Sequence, residues 1–228
     1  MTAASSPRLV IAIDGPAGAG KSTTAKRLAS RLGYTYLDTG ALYRAVAWKV
    51  MQSGIDCADQ EAIKRLLDMT EVKVNVGIES NTTVSLDSQE LGSQLRSPEV
   101  TRLASAVAAL PVVREWLLPV QQRLGEQGGI VAEGRDMGTR VFPHADVKFF
   151  LEASLETRAS RRHLENHASG QESDPQRVQD QIADRDTRDR TRDVAPLKPA
   201  EGAMVIDSTT LTVDEVVETM MERIPAWQ

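Results

Sequence analysis

Residues 15–22 limit the possible folds of this chain more than any other feature. They read GPAGAGKS and fit the pattern G-x-x-x-x-G-K-[ST] at every fixed position. The continuously apolar run 9–13 precedes this loop, and residues 22–32, with apolar positions at helical spacing, follow it. In a strand–turn–helix unit of this kind, the glycine-rich turn points successive backbone N–H groups at an anion. The helix that follows places the positive end of its dipole beside the same anion. The sequence therefore predicts a binding site for the phosphates of a nucleoside triphosphate.

The residues of this loop have separate expected contacts with ATP and Mg²⁺. Lys21 brings a full positive charge to the β- and γ-phosphates, and the hydroxyl of Ser22 faces Mg²⁺. The other expected ATP contacts come from Gly15, Pro16, Ala17, Gly18, Ala19, Gly20 and Thr23. An N-K-x-D motif is absent, which disfavours a GTPase, but the loop alone does not separate a kinase from other proteins that use ATP.

Composition limits the partners of the chain. The net charge of −5 argues against a protein that coats nucleic acid. Cys57 is the only cysteine, which excludes an internal disulfide and a cysteine-based zinc site and fits a reducing cytoplasm. No apolar run approaches the roughly 20 residues of a membrane span, and residues 1–7 lack the pattern of a signal peptide. We expect a cytoplasmic monomer that binds small molecules rather than nucleic acid or a membrane.

Short apolar runs alternate with helical patterns along the chain. This alternation predicts an α/β fold with a mainly parallel sheet, its strands near residues 9–13, 34–37, 130–132, 147–151 and 204–206. Residues 72–76 and 83–86 predict a small β hairpin outside that sheet. We therefore expect a core domain at 8–40 and 127–228, an inserted region at 41–126 and a disordered tail at 1–7.

One face of the last charged helix carries Arg185, Asp189 and Arg192 at positions i, i+4 and i+7. The forked donors of arginine suit phosphate oxygens, so this face favours an anionic acceptor. The alternative is a solvated helix in which Arg185 pairs with Asp189, and Asp186 with Arg190, one turn apart. Both interpretations stay open at this point.

A second basic face, formed by Arg158, Arg161 and Arg162, lies on the preceding polar helix. Residues 169–173 read SGQES and form a plausible hinge between the two helices. A basic, polar hairpin suits a lid, at about 154–180, in which Arg158 and Arg162 close over the phosphates of ATP and exclude water. A solvated surface hairpin is the alternative.

Charged residues also follow two of the predicted strands. Parallel sheets place ligands at the carboxyl ends of their strands. Arg135 and Asp136, after the strand at 130–132, are therefore expected to contact substrate, and Glu133 could hold a water molecule bound to Mg²⁺. The strand at 34–37 is followed in the same way by Thr39, Tyr43 and Arg44.

With these residues in place, the chain resembles the bacterial cytidylate kinases, a branch of the nucleoside monophosphate kinases. The resemblance is carried, from one end of the chain to the other, by residues 11–25, 37–44, 133–143, 185–196 and 206–210. It implies a P-loop kinase fold with a five-stranded parallel sheet of order 2-3-1-4-5, a monophosphate-binding insertion and a helical lid. It also implies a reaction of pyrimidine nucleotide metabolism, in which ATP phosphorylates CMP or dCMP.

Site roles implied by the resemblance fall into four groups. Arg44, Arg135 and Arg192 look like ligands of the acceptor phosphate, and Ser105, Arg114 and Asp136 look like readers of cytosine. Asp189 and Arg185 look like the ribose contacts, and Thr39 and Tyr43 look like the walls of the acceptor site. Lys21, Arg135, Arg185 and Arg192 are the expected catalytic cations. The role of Ser105 depends on the resemblance alone, and Glu133 stands where many relatives carry Asp.

Two rival functions are compatible with the same residues. One is a P-loop kinase for another small metabolite, such as a sugar acid or a different monophosphate. The other is a nucleotide-dependent regulator or binding protein that performs no transfer.

Overall fold

The computed structural model describes residues 8–76 and 82–224, so the predicted disordered tail lies outside the described residues. In chain order the elements are β1 (Val10–Asp14), α1 (Lys21–Leu32), β2 (Thr35–Asp38), α2 (Thr39–Ser53), α3 (Gln60–Asp68), β3 (Val72–Val76), β4 (Thr82–Leu86), β5 (Gln89–Leu91), α4 (Pro98–Val107), α5 (Pro111–Gly125), β6 (Ile130–Gly134), β7 (Val147–Glu152), α6 (Leu155–Ala168), α7 (Pro175–Thr191), β8 (Met204–Asp207) and α8 (Val213–Met221). A 3₁₀ turn spans Ser93–Arg96 and a π-helical turn spans Met137–Val141.

The main sheet is parallel throughout and has the order β2-β6-β1-β7-β8. Counted along the chain, these five strands have the order 2-3-1-4-5, which confirms the predicted fold. The register pairs Glu133 with Ile13 on one side and with Asp38 on the other. The carboxyl ends of the three neighbouring strands β2, β6 and β1 therefore meet at one edge of the sheet.

Apolar residues on both faces of the sheet explain why its strands are buried. Ile11 and Ile13 of β1 have no exposed surface, and they pack with Leu28 of α1 and Val217 of α8 on one face. On the other face, Ala12 packs with a cluster that includes the π-helical turn. Full burial on both faces fixes the position of β1, and hence of the loop that follows it.

Strands β3, β4 and β5 form a separate antiparallel sheet. The predicted hairpin is thus a three-stranded sheet, because residues 87 and 88 adopt positive φ angles of 49° and 66° and return the chain as β5. This conformation suits a two-residue hairpin turn. The Oγ1 hydroxyl of Thr82 on β4 donates to the carbonyl oxygen of Tyr36 on β2 at 2.9 Å. The small sheet is therefore fastened to the edge strand of the main sheet.

Helices α2 to α5 enclose, together with the small sheet, a second hydrophobic cluster, which includes Leu42, Ile63, Val100 and Leu117. No single helix in the described part of the chain is long and apolar enough to span a membrane; α4 and α5 meet that criterion only as a pair, bent by 97°. Helices α6 and α7 pack against each other through Ala159, Val178 and Ile182.

Candidate active site

The loop between β1 and α1 has the geometry of an anion nest. Gly15 approaches the neighbouring strand so closely that a Cβ atom would lie 1.9 Å from the carbonyl oxygen of Leu151, and its φ is 151°. Only glycine fits this position. Helix α1 begins at Lys21, whose ammonium group folds back over the loop and donates to the carbonyl oxygen of Pro16 at 2.6 Å. The positive end of α1 and the charge of Lys21 thus act on the same small space.

Three cations gather beside this loop. Burial, followed by the positive charge of Arg135, lowers the pKa of Lys21 to about 7, and Arg185 lowers it as well. Burial and Arg135 also lower the pKa of Arg185 to about 10. The sequence-predicted cations Lys21, Arg135 and Arg185 are therefore close enough to repel one another. A bound polyanion would relieve that repulsion and restore the charge of Lys21.

Asp189 holds two of the predicted arginines. The Nε of Arg135 donates to the Oδ2 of Asp189 at 2.8 Å, and the Nη1 of Arg192 lies 3.8 Å from the Oδ1. Asp186 pairs with Arg158 of the neighbouring helix at 2.6 Å. Asp189 therefore pairs with Arg135 after β6 as well as with Arg192 one turn along the chain, and Asp186 pairs across helices. Both carboxylates are buried, which disfavours the interpretation of this face as a solvated helix.

Some of these guanidinium groups retain unused donors. Within residues 8–76 and 82–224, the buried Nε atoms of Arg44, Arg114 and Arg185 and the buried Nη2 of Arg192 have no hydrogen-bond partner. Buried donors are normally satisfied, and an anion is the partner that such donors favour. Arg44 uses its Nη2 to contact Asp38 at 2.6 Å, and Asp38 also caps α2.

Arg114 and Asp136 form a buried ion pair next to this group. Each residue is about 2% exposed, and the Nη2 of Arg114 donates to the Oδ2 of Asp136. The Nη1 of Arg114 donates to the carbonyl oxygen of Ala108 at 2.9 Å, and its guanidinium lies 5.4 Å from the centre of the Tyr43 ring. Burial raises the pKa of Tyr43 to about 12. The predicted Ser105 has a buried hydroxyl without a partner in the described structure.

Asp14, at the end of β1, connects the loop to this ion pair. Its two carboxylate oxygens accept from the backbone N–H groups of Met137 and Gly138, both at 2.8 Å. These two residues directly follow Asp136 and begin the π-helical turn. Burial raises the pKa of Asp14 to about 6, although the two hydrogen bonds act to lower it. Asp14 was missed in the sequence because it precedes the motif and looks like a strand end.

Glu133 accepts three hydrogen bonds at the end of β6. The hydroxyls of Ser22 and Tyr36 both donate to its Oε1, that of Tyr36 at 2.8 Å. The hydroxyl of Thr39 donates to its backbone oxygen at 2.7 Å. Burial, and then the negative charge of Glu133, raise the pKa of Tyr36. Sequence reasoning also missed Tyr36, because an aromatic residue within a strand has the pattern of core packing.

Helix α6 brings two arginines to the loop. Arg158 is buried and donates to the carbonyl oxygen of Ala17 at 3.1 Å. Arg161 donates to the carbonyl oxygen of Ser208 at 2.6 Å, and the hydroxyl of Ser208 donates to Ala19 O at 3.2 Å. Arg162 is exposed and pairs with Glu165 at 3.2 Å. Arg161 belongs to the predicted basic face, but only the folded chain shows that it reaches the loop through Ser208.

The fold and this loop define a class. A parallel sheet of order 2-3-1-4-5, whose central strand runs into a glycine-rich loop closed over a buried lysine, is the architecture of a P-loop kinase. The family model for cytidylate kinase matches residues 11–226. The chain belongs to the cytidylate kinase family, whose kinase activity makes ATP the phosphoryl donor and a small molecule the acceptor.

Curated relatives agree over almost the whole chain. The cytidylate kinase of Caldicellulosiruptor saccharolyticus is 46% identical over 215 residues, which are 94% of this chain and 95% of that protein. The cytidylate kinase of Pelotomaculum thermopropionicum is 46% identical over 216 residues, 95% of this chain and 96% of that protein. The cytidylate kinase of Geobacillus kaustophilus is also 46% identical, over 94% of this chain and 96% of that protein.

Proposed function

We propose that the protein transfers the γ-phosphoryl group of ATP to CMP or dCMP, giving ADP and CDP or dCDP. The observation that carries this proposal is the placement of a buried Arg114–Asp136 pair beside guanidinium groups that retain unused donors. The unused N–H donors can bind the phosphate of a nucleotide. The buried Arg114–Asp136 pair can form hydrogen bonds with the polar edge of its base. Membership of the cytidylate kinase family supports the same acceptor.

The hydrogen-bonding groups of cytosine are complementary to Arg114 and Asp136. Its exocyclic amine donates, and its ring N3 and O2 accept. Asp136 can accept from the amine, while Arg114 and the hydroxyl of Ser105 donate to N3 and O2. Uracil presents a carbonyl and an N–H instead, so it would leave buried polar groups unpaired. That mismatch can cost several kcal/mol and provides the discrimination.

Phosphoryl transfer depends mainly on positioning and charge neutralisation. Lys21 and the backbone of residues 15–23 hold the donor phosphates, with Arg158 and Arg162 closing from α6. Arg44, Arg135 and Arg192 hold the acceptor phosphate, Arg185 and Asp189 contact the ribose side, and Thr39 and Tyr43 line the pocket. The acceptor phosphate is already an anion and does not need the carboxylate base that an alcohol acceptor uses; these cations hold it beside the polyanionic phosphates of ATP.

Oxygen groups of this site fit Mg²⁺. Ser22 is exposed, and its hydroxyl donates to the carboxylate of Glu133. Hard cations favour such oxygen ligands. Within the described chain, no group of three or more His, Cys, Asp or Glu side chains could hold a metal ion. This agrees with an ion held mostly by phosphates and water. Ser22, and Glu133 through water, would hold Mg²⁺, which neutralises charge on the β- and γ-phosphates when bound.

The division of the chain follows from this reaction. We assign residues 8–40 and 127–228 to the core, residues 41–126 to acceptor binding, and residues 154–180 to a lid. The separate hydrophobic cluster of α2 to α5 supports the second assignment. The contacts of Arg158 and Arg161 beside the loop support the third.

An assay of ADP release, with CMP, dCMP, UMP, AMP and shikimate as acceptors, tests this function. We expect the highest kcat/KM for CMP or dCMP. Equal or faster turnover of a non-cytidine acceptor would favour the rival kinase function. Tight ATP binding without any phosphorylated product would favour the rival binding protein.

A further inference from the structure

Tyr36 is a buried side chain beside the donor site, and the proposed function gives it no role. It lies on β2, is 2% exposed, and its hydroxyl donates to the Oε1 of Glu133 at 2.8 Å. The hydroxyl of Ser22 donates to the same oxygen atom. One carboxylate oxygen thus accepts two O–H groups, one from the loop and one from the edge strand.

The direction of the Ser22 hydroxyl bond matters for metal binding. A hydroxyl that gives its proton to a carboxylate keeps its lone pairs free for another partner. A divalent cation requires those lone pairs. Glu133 therefore determines which side of the Ser22 oxygen faces the phosphates.

Glu133 needs a fixed side chain to do this. A glutamate has three rotatable side-chain bonds, and a single contact with an exposed serine does not hold it in one rotamer. The second donor, from Tyr36, fixes the position of Oε1. Groups that orient a metal ligand in this way commonly change metal affinity when they are removed.

Tyr36 is itself rigidly held. Its backbone pairs with Val131 of β6, and its carbonyl oxygen accepts from Thr82 at 2.9 Å. Its ring packs in the core below α1, with the Lys26 ammonium 5.4 Å from the ring centre. The phenol hydroxyl thus has a fixed position from which to hold Glu133.

We infer that Tyr36 is a positioning residue for the metal side of the donor site: through Glu133, it orients the Ser22 hydroxyl towards the divalent cation of the ATP complex. This inference depends on the proposed function only in its use of metal–ATP as donor. It does not depend on the identity of the acceptor.

The test compares Tyr36→Phe with Tyr34→Phe. Each variant removes one phenol oxygen, but the hydroxyl of Tyr34 accepts from the backbone N–H of Leu9 at the opposite end of the sheet. Mn²⁺ affinity is measured by electron paramagnetic resonance, with a non-hydrolysable ATP analogue and without acceptor. We expect Tyr36→Phe to weaken Mn²⁺ binding roughly tenfold and to leave metal-free binding of the analogue unchanged. Equal Mn²⁺ affinity in both variants would overturn the inference.

A double-mutant cycle with Glu133→Gln separates positioning from a general loss of packing. If Tyr36 acts through Glu133, Tyr36→Phe should have no further effect on Mn²⁺ affinity in the Glu133→Gln protein. If the two substitutions instead lower Mn²⁺ affinity independently, so that their fold-losses multiply in the double variant, Tyr36 does not act through Glu133. Thermal melting shows whether each variant is folded. If Tyr36→Phe does not fold, the Glu133→Gln variant alone still tests the inference, because an unchanged Mn²⁺ affinity in that variant would reject it.

Kinase assays complete the design. With CMP as acceptor, Tyr36→Phe should raise the Mg²⁺ concentration for half-maximal rate and leave the KM for CMP unchanged. An effect on the KM for CMP alone would assign Tyr36 to the acceptor side instead. If wild-type protein phosphorylates no acceptor, the proposed function fails, while the Mn²⁺ measurement still decides the role of Tyr36.

Discussion

Removing the carboxylate of Asp136 leaves a guanidinium group in the protein interior without its counter-charge. Asp136 and Arg114 are each about 2% exposed, so neither charge is screened by solvent. Removing one partner of a buried pair typically costs about 3–5 kcal/mol. Arg114 keeps its hydrogen bond to Ala108 and its contact with the Tyr43 ring. We therefore expect Asp136→Ala to lower the free energy of unfolding by about 3 kcal/mol, the lower end of that range.

The loss should shrink when both charges are removed. In Asp136→Ala/Arg114→Leu, no unpaired charge remains, so the double variant should lose less than the sum of its two single variants. Urea unfolding followed by circular dichroism measures all three free energies. Asp68→Ala is the control, because the Lys64–Asp68 pair is more than half exposed; its loss should stay within about 1 kcal/mol. Additive losses at 114 and 136 would refute the reasoning.

The same variant reports on base recognition. If Asp136 reads cytosine as proposed, its removal takes the acceptor from the cytosine amine and leaves the proposed contacts of the ATP phosphates in place. The KM for CMP should therefore rise far more than the KM for ATP. Equal changes in both would show that Asp136 supports the fold of the site and does not read the base.

Three further outcomes are expected. Lys21→Ala should lower kcat by roughly 100-fold or more with an unchanged circular dichroism spectrum, since it removes charge stabilisation of the transition state; near-normal kcat would disprove this role. The pKa of Lys21 is lowered to about 7, and ATP binding favours its charged form. Binding should therefore take up more protons at pH 8, where free Lys21 is mostly neutral, than at pH 6. Calorimetry in buffers of different ionisation enthalpy measures this uptake. The pKa of Asp14 is raised from 3.8 to about 6, so its contribution to stability is present below pH 4 and is lost as the pH rises through 6. Relative to Asp14→Asn, wild-type protein should lose about 2 kcal/mol between pH 4 and 7, and a constant difference would contradict this.

Local sequence predicted the parts of the fold that depend on local chemistry. The apolar run before the glycine-rich loop had to become a buried strand, and the alternation of strands and helices had to give a parallel sheet. The strand order came from the family resemblance and not from periodicity. Strand β5 escaped prediction because Gln89 and Glu90 are polar and exposed, and only the positive φ angles of residues 87 and 88 return the chain to form it.

The site was predictable to the extent that residue type determines its chemistry. Lysine and arginine in these patterns indicated anion binding, but spacing along a helix could not reveal partners on other elements. Asp189 joins Arg135, which is 54 positions away, and Asp186 joins Arg158 of the neighbouring helix. Tyr36 shows the same limit, because its partner Glu133 is set by strand order rather than by distance along the chain.

The carboxylate of Asp14 has a consequence for how this enzyme can change its preference for an acceptor. Asp14, the last residue before the phosphate-binding loop, accepts hydrogen bonds from the first two backbone amides after Asp136, the proposed reader of the base. A substitution or insertion that widened the proposed nucleobase site by moving residues 137 and 138 would withdraw those amides and leave a buried carboxylate unsatisfied next to the phosphate-binding loop. The other two proposed base contacts lie on α4 and α5: the Ser105 hydroxyl is buried without a partner among the described residues, and Arg114 donates to Ala108 and Asp136. A change at either position leaves both hydrogen bonds of Asp14 in place, so these helices are the more accessible route to a new acceptor.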